Sequence, residues 1–204
     1  NNHVSKKAGL QDSEEEALLY MDTIITHDGP AATRERKEAY VKNGHVMVKY
    51  LEDLGMRWVA GTHYPDYYPE QPGGKIGRSI EGAIFDARKL GALERSLRIG
   101  EIEPPIPLLS GKVASLPKAF TNAKDFNTVV GMFATGFKHK IKGERAISIG
   151  AGLVAGLLKI ALEQGVKLRL ATPLKDIIFE DDKVAGVEVE HDGEVGFIQT
   201  KAVI

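Results

Sequence analysis

Apolar residues recur along this chain with two different periods. Near the N-terminus Ala17, Leu18, Met21, Ile24 and Ile25 fall on one face at helical spacing. Ser13, with Glu16 three positions on, forms a capping-box signature ahead of them, and together they predict a helix. A second helix is expected after an Asp28-Gly29-Pro30 turn, with Met47, Tyr50, Leu51 and Leu54 on one side and Gly55 as its stop. Asp86 is read as the cap of a further helix bearing Leu90, Leu93 and Leu97. The segment from Phe120 to Phe137 is weakly helical. Leu153, Val154, Leu157, Leu158 and Ala161 form a buried helical face ending at Gly165.

From there the period changes to two. Lys167 to Ala171 reads as a strand. The alternating runs Leu174 to Phe179 and Val184 to Val189 are joined by Asp181 and Asp182, and His191-Asp192-Gly193 turns the chain into Val195 to Gln199. This is a β-meander, followed by a last strand at Ala202 to Ile204. Within the helical part, after the second helix, the pattern fails. His63 to Gly74 carries closely spaced prolines and three tyrosines (Tyr64, Tyr67 and Tyr68), which exclude a helix or a central strand and predict an irregular loop. Irregular segments of this length are often functional, and the competing reading is a surface loop that packs its tyrosines for stability.

Composition narrows the function classes. The 204 residues include no cysteine, so disulfides, thiol nucleophiles and thiolate metal sites are excluded. The net charge of −1, with acids and bases interleaved, gives no electrostatic case for nucleic acid or an anionic membrane. No apolar run approaches the roughly 20 residues that span a bilayer, and the N-terminus shows no signal-peptide core; a cytoplasmic location is expected. The chain opens on Asn1-Asn2-His3 and stops at Lys201-Ala202-Val203-Ile204, within an expected strand. Both ends therefore read as cut, and the chain is expected to be an internal piece, inactive by itself.

One motif points to nucleotide binding. Gly150-Ala151-Gly152-Leu153-Val154-Ala155 matches G-x-G-x-x-G/A between a short strand, Ala146 to Ile149, and a helix. Such glycines let the backbone approach a pyrophosphate at a helix N-terminus. Against this, the expected next strand ends in Ala171-Thr172, where a carboxylate should hold the ribose. A helix packed closely through its glycines explains the same residues. His139, between Lys138 and Lys140, reads as a solvated basic loop rather than a metal ligand. Ser13, Ser79, Ser110 and Ser148 lack the nucleophile-elbow context.

Two stretches, taken together, resemble the flavoprotein family of fumarate reductases and, more closely, 3-ketosteroid Δ1-dehydrogenases. The first is Asp66-Tyr67-Tyr68-Pro69-Glu70, with Pro72-Gly73-Gly74-Lys75-Ile76-Gly77-Arg78-Ser79-Ile80 and Phe85-Asp86-Ala87-Arg88-Lys89-Leu90-Gly91. The second runs from Gly150 through Thr172-Pro173-Leu174 and Val184 to Val187 as far as Ile204. The resemblance covers nearly the whole chain and is poorest over residues 100 to 140. It implies an α/β fold, an α+β piece of a Rossmann-like FAD-binding domain that lacks the N-terminal dinucleotide fingerprint. Residues 1–100 would be a helical part with the Tyr/Pro loop 63–74, residues 101–145 an irregular or helical connection, and residues 146–204 a helix with a β-meander and final strand.

The resemblance further implies FAD as cofactor of the full-length protein and a steroid-like or enone substrate, with no electron acceptor indicated. In that family a hydride leaves C1 of the steroid A ring for the flavin, and a tyrosine base in the cap domain takes a proton from C2. Tyr68 looks like the tyrosine that hydrogen-bonds this base; a phenol of reference pKa about 10 needs such support to ionise near neutrality. Leu174 looks like a main-chain contact to the adenine end of FAD. The alternatives are a fumarate- or enoate-reducing flavoprotein and a non-catalytic NAD(P)-binding module built on Gly150 to Ala155.

Overall fold

In the computed structural model, residues 2–26, 29–100 and 104–204 are described. Asp28 of the expected turn lies outside them. The chain divides into two compact units, Asn1–Glu163 and Gln164–Ile204.

The first unit opens with a short helix, α1 (His3–Lys7), capped by Asn2, whose side chain accepts from Ser5 N. Helix α2 (Glu14–Ile24) comes next as expected, with the Ser13 hydroxyl accepting from Glu16 N at 3.1 Å and three glutamates in its first turn, where they meet the positive end of the helix dipole. Helix α3 (Arg34–Asp53) is capped by Thr33 and released at Gly55, whose φ of +103° only glycine adopts without strain. Its inward face differs from the expected one. Met47 and Tyr50 are more than half exposed, while Val48 and Lys37 are buried. The Lys37 ammonium is compensated by Asp22 of α2 at 3.1 Å, and the Val48 carbonyl accepts from Trp58 Nε1 at 3.1 Å.

Two small antiparallel pairs complete the frame: β1 (Trp58–Ala60) with β2 (Ile80–Gly82), and β3 (Phe85–Asp86) with β4 (Ala146–Ile147). Asp86 caps the next element, as predicted, but that element is a 3₁₀ run over Ala87–Ser96 rather than an α-helix. Gly91, at φ 58° and ψ −127°, interrupts it. The 101–145 region holds a short helix α4 (Ser110–Val113) and a long one, α5 (Ala123–Ile141), capped by Asn122. Phe126, Phe133 and Phe137 of α5 are all exposed.

Helix α6 (Ile149–Glu163) corrects the expectation for its core face. The buried residues are Gly152, Ala155, Gly156 and Ile160, whereas Val154 is 56% exposed. Close approach explains the reversal. A methyl group on Gly152 would lie 3.3 Å from the Ile147 carbonyl oxygen, and one on Gly156 would lie 2.6 Å from Met56 Sδ. Only side chains this small let α6 settle onto β2 and the 3₁₀ run, over a core of Ala87, Leu90, Ile147 and Ala155.

The second unit is the predicted meander: β5 (Leu174–Glu180), β6 (Lys183–His191) and β7 (Glu194–Gln199), each antiparallel to its chain neighbour. Asp181 and Asp182 take φ of 49° and 61°, and Asp192 and Gly193 take 50° and 81°, the left-handed pairs that match strand twist in two-residue hairpins. Two expected strands do not form among the described residues. Residues 167–171 have no ladder partner there, and Ala171 has φ +49°, which an extended strand does not allow. Residues 202–204 are likewise unpaired, with Ile204 fully exposed. Alternation alone does not make a strand; a neighbour must supply the hydrogen bonds.

Candidate functional site

The tyrosine-proline loop leaves β1 at Gly61 and returns at Ser79, whose carbonyl accepts from Gly61 N at 2.9 Å. Inside that neck, Pro65 bridges Ile76, and Gly77 N donates to the Tyr64 carbonyl at 2.8 Å. Asp66 closes the next rung from both sides: its N–H donates to the Lys75 carbonyl, and its carboxylate accepts from Lys75 N, each at 2.9 Å. The tip folds in successive turns, with Gln71 N donating to Tyr68 O at 3.1 Å and Gly74 N to Gln71 O at 2.8 Å. The loop is irregular, as the prolines require, and its main chain is nonetheless hydrogen-bonded along its length.

A charged cluster fastens it to the N-terminal segment. The Arg78 guanidinium donates through Nε to Asp12 Oδ2 at 2.9 Å, through Nη1 to Asp66 Oδ2 at 2.8 Å and through Nη2 to the Gly73 carbonyl at 2.7 Å. The Asp12 and Asp66 side chains are about nine-tenths buried, and that of Arg78 is 19% exposed. Directional hydrogen bonds of this kind offset the hydration that such side chains lose on burial. Lys75 Nζ adds bonds to the Gln11 carbonyl and to Glu16 of α2. Gly73, at φ +77°, rests on α2: a methyl group there would lie 2.5 Å from Glu16 O and 2.7 Å from Tyr20 N.

Within this frame the three tyrosines face outward. Tyr64 is 42% exposed, Tyr67 90% and Tyr68 55%. Tyr68 is held by its backbone, its N–H donating to the Tyr20 hydroxyl at 3.0 Å, and its phenol is left toward solvent. Tyr20, Arg78, Asp12 and Asp66 were not singled out as functional by sequence reasoning. The available signal was Arg78 itself, a cation lying directly after a run of loop glycines, twelve positions beyond Asp66.

In the second unit, Leu174 opens β5 opposite Val189 and is half exposed. The preceding turn is fixed by Thr172, which donates to the Leu170 carbonyl at 2.8 Å and lies 3.1 Å from His191 Nδ1. Pro173 O accepts from Glu190 N at 3.1 Å. Beside it is a cleft of about 440 Å³ whose walls include Arg169, Leu170, Thr172, Val189 and His191. Hydrogen-bonding groups set among aliphatic walls suit a heteroaromatic base.

The glycine motif is built otherwise. Gly152 is packed against the carbonyls of Ile147 and Ala83, with hypothetical methyl contacts of 3.3 and 3.5 Å, so its Cα side faces other main chain rather than open space. The strand ahead of it is two residues long and antiparallel. The close-packing explanation accounts for Gly152, while Gly150 meets nothing within 4 Å. Among the described residues there is also no cluster of three or more His, Asp or Glu able to hold a metal, and no helix is long and apolar enough to cross a membrane.

Comparison with known proteins identifies the family. Residues 1–204 match the family described as FAD binding domain. The chain is 32% identical over 202 residues to a 3-oxosteroid 1-dehydrogenase of Mycolicibacterium smegmatis, covering 93% of this chain and 33% of that protein. It is 33% identical over 201 residues to the 3-oxosteroid 1-dehydrogenase of Mycobacterium tuberculosis, covering 95% and 35%. The crystal structure of 3-ketosteroid delta1-dehydrogenase from Sterolibacterium denitrificans, in complex with 1,4-androstadiene-3,17-dione, superposes with a TM-score of 0.75 at 26% identity, covering 98% of this chain and 37% of that one. The chain thus spans about a third of the length of the relatives it matches.

Proposed function

The chain belongs to the FAD binding domain family, and from that premise we propose that it is part of a flavin-dependent dehydrogenase that introduces a C=C bond beside the ketone of a 3-ketosteroid-type substrate. The observation that carries this reading is the loop carrying Asp66-Tyr67-Tyr68-Pro69. It is pinned by Arg78 and α2, and it presents the Tyr68 phenol outward from a rigid base. The similar proteins named 3-oxosteroid 1-dehydrogenase support the substrate class.

In this reading Tyr68 donates a hydrogen bond to a second tyrosine that removes the proton next to the ketone. A donor at that position stabilises the phenolate and brings a base with a reference pKa of about 10 closer to working pH. FAD, when bound, supplies the two-electron acceptor. On this chain the segment from Thr172 to Leu174, beside the cleft with Arg169 and His191, would hold its adenine end. Gly150 and Gly152 take no part.

The test is turnover of a full-length protein containing this chain, with a 3-keto-4-ene steroid and an artificial electron acceptor, beside a fumarate reduction assay. Steroid-dependent reduction of the acceptor is expected, and Tyr68→Phe should lower kcat about 100-fold, the low end for a lost acid–base contribution, with KM little changed. Fumarate reduction without steroid activity would refute the substrate class, and unchanged turnover in Tyr68→Phe would refute the role of Tyr68.

A further inference from the structure

The Tyr68 phenol is useful only if its direction is fixed, and the loop's own hydrogen bonds do not fix it. They close the neck and the turns, whereas the Tyr68 N–H points out of the loop, to the hydroxyl of Tyr20 at 3.0 Å. Tyr20 is well placed to receive it. It is 8% exposed and stands in the middle of α2, a helix capped at Ser13. The Arg78 guanidinium carbon lies 5.3 Å from the centroid of its ring, and Gly73 lies against its backbone N and Cα. Three separate contacts therefore hold the Tyr20 ring and backbone in place: the helix, the cation stacked on the ring, and the glycine beside it. The ring itself lies beneath the Arg78 guanidinium.

We propose that Tyr20 is a positioning residue for the reaction: its buried hydroxyl anchors the Tyr68 backbone to α2 and so sets the direction in which the Tyr68 phenol is offered. The inference rests on the role assigned to Tyr68 above. It also accounts for Arg78 bonding to both ends of the loop while stacking on Tyr20, since one side chain then holds the anchor and the loop in register. Small misplacements of a hydrogen-bonding group cost catalysis out of proportion to stability.

The experiment is a double-mutant cycle in the full-length, flavin-loaded protein: Tyr20→Phe, Tyr68→Phe and the double variant, each assayed for kcat and KM with a 3-keto-4-ene steroid, with flavin content and melting temperature recorded. Phenylalanine keeps the ring beneath Arg78 and the contact with Gly73, so the fold is preserved. Tyr20→Phe should lower kcat about 10-fold with KM within about 2-fold, and it should add nothing to kcat once Tyr68 is already Phe, the non-additivity expected of residues acting through one contact. Equal effects of Tyr20→Phe in both backgrounds, or a change confined to melting temperature and KM, would overturn the inference while leaving Tyr68 in its role. A Tyr68→Phe variant with wild-type kcat would overturn both.

Discussion

Gly73 and Gly9 offer a controlled measurement of how tightly the loop sits on α2. Both have φ +77°, so alanine at either pays the same left-handed backbone penalty, about 1–2 kcal/mol. That is partly offset by about 0.4–1 kcal/mol from the stiffer unfolded chain. Beyond the new methyl group the sites differ. At Gly9 nothing lies within 4 Å, so Gly9→Ala should cost about 0.5–1 kcal/mol. At Gly73 the methyl would lie 2.5 Å from Glu16 O and 2.7 Å from Tyr20 N, both backbone atoms of a helix that cannot yield locally. The loop must lift instead, straining the bonds from Arg78 to the Gly73 carbonyl and from Tyr68 to Tyr20. Overpacking of this kind adds about 1–3 kcal/mol, for a total of about 1.5–4 kcal/mol at Gly73. The assay is chemical denaturation of both variants and wild type of a full-length protein containing this chain, beside its proposed steroid turnover. Gly73→Ala should be the less stable variant and should lose most of its kcat, while Gly9→Ala keeps it. Equal destabilisation by the two substitutions would show that the loop does not rest on α2, and the positional argument for Tyr68 would fall with it.

Three further outcomes are expected elsewhere. The Asp86 carboxyl, 11% exposed, is held below the usual carboxylate range by its hydrogen bond from the Arg88 guanidinium, with the backbone N–H groups of Arg88 and Arg145 adding to the effect. Its folded pKa therefore lies below its unfolded one, and its stabilisation is complete above about pH 4 and lost as pH falls through the folded value. The stability gap between wild type and Asp86→Asn should accordingly narrow between pH 6 and pH 3 in denaturation curves; a gap independent of pH would refute this. On α6, Gly150→Ala meets nothing within 4 Å and should stabilise by up to about 1 kcal/mol with flavin content unchanged. Gly156→Ala, against Met56 Sδ, should destabilise by about 1–2 kcal/mol. Loss of flavin in Gly150→Ala would instead reinstate a nucleotide role for the motif.

What could be read from the sequence was what the chain decides locally. Ser13 with Glu16, Gly55 and the two aspartate-containing turns each act within a few residues, and each is found where the pattern put it. The resemblance carried by the tyrosine-proline loop led to the FAD binding domain family. The misread elements depend on distant partners. Leucine and valine outrank glycine on any hydrophobic scale, yet the buried face of α6 is its small-residue face, because Met56 and the Ile147 carbonyl press against it. Residues 167–171 alternate like a strand but lack a neighbour to pair with among the described residues. The clamp on the candidate site was least legible of all: Asp12 and Arg78 stand 66 positions apart, and neither belongs to a pattern that names the other.

That separation has a consequence for how the chain is made. The β5–β7 hairpins join neighbours across two-residue turns, so their closure costs little entropy and can come soon after synthesis. The tyrosine loop cannot. Tyr20 leaves the ribosome 48 residues ahead of its partner Tyr68, an interval of roughly 2–10 s at ordinary elongation rates. Throughout that wait Tyr20 has neither the loop nor the Arg78 guanidinium against it. The capping serine, the three leading glutamates and the ion pair of Asp22 with Lys37 of α3 all lie ahead of the loop in the chain, and they suit α2 to serve as the template on which the loop later closes.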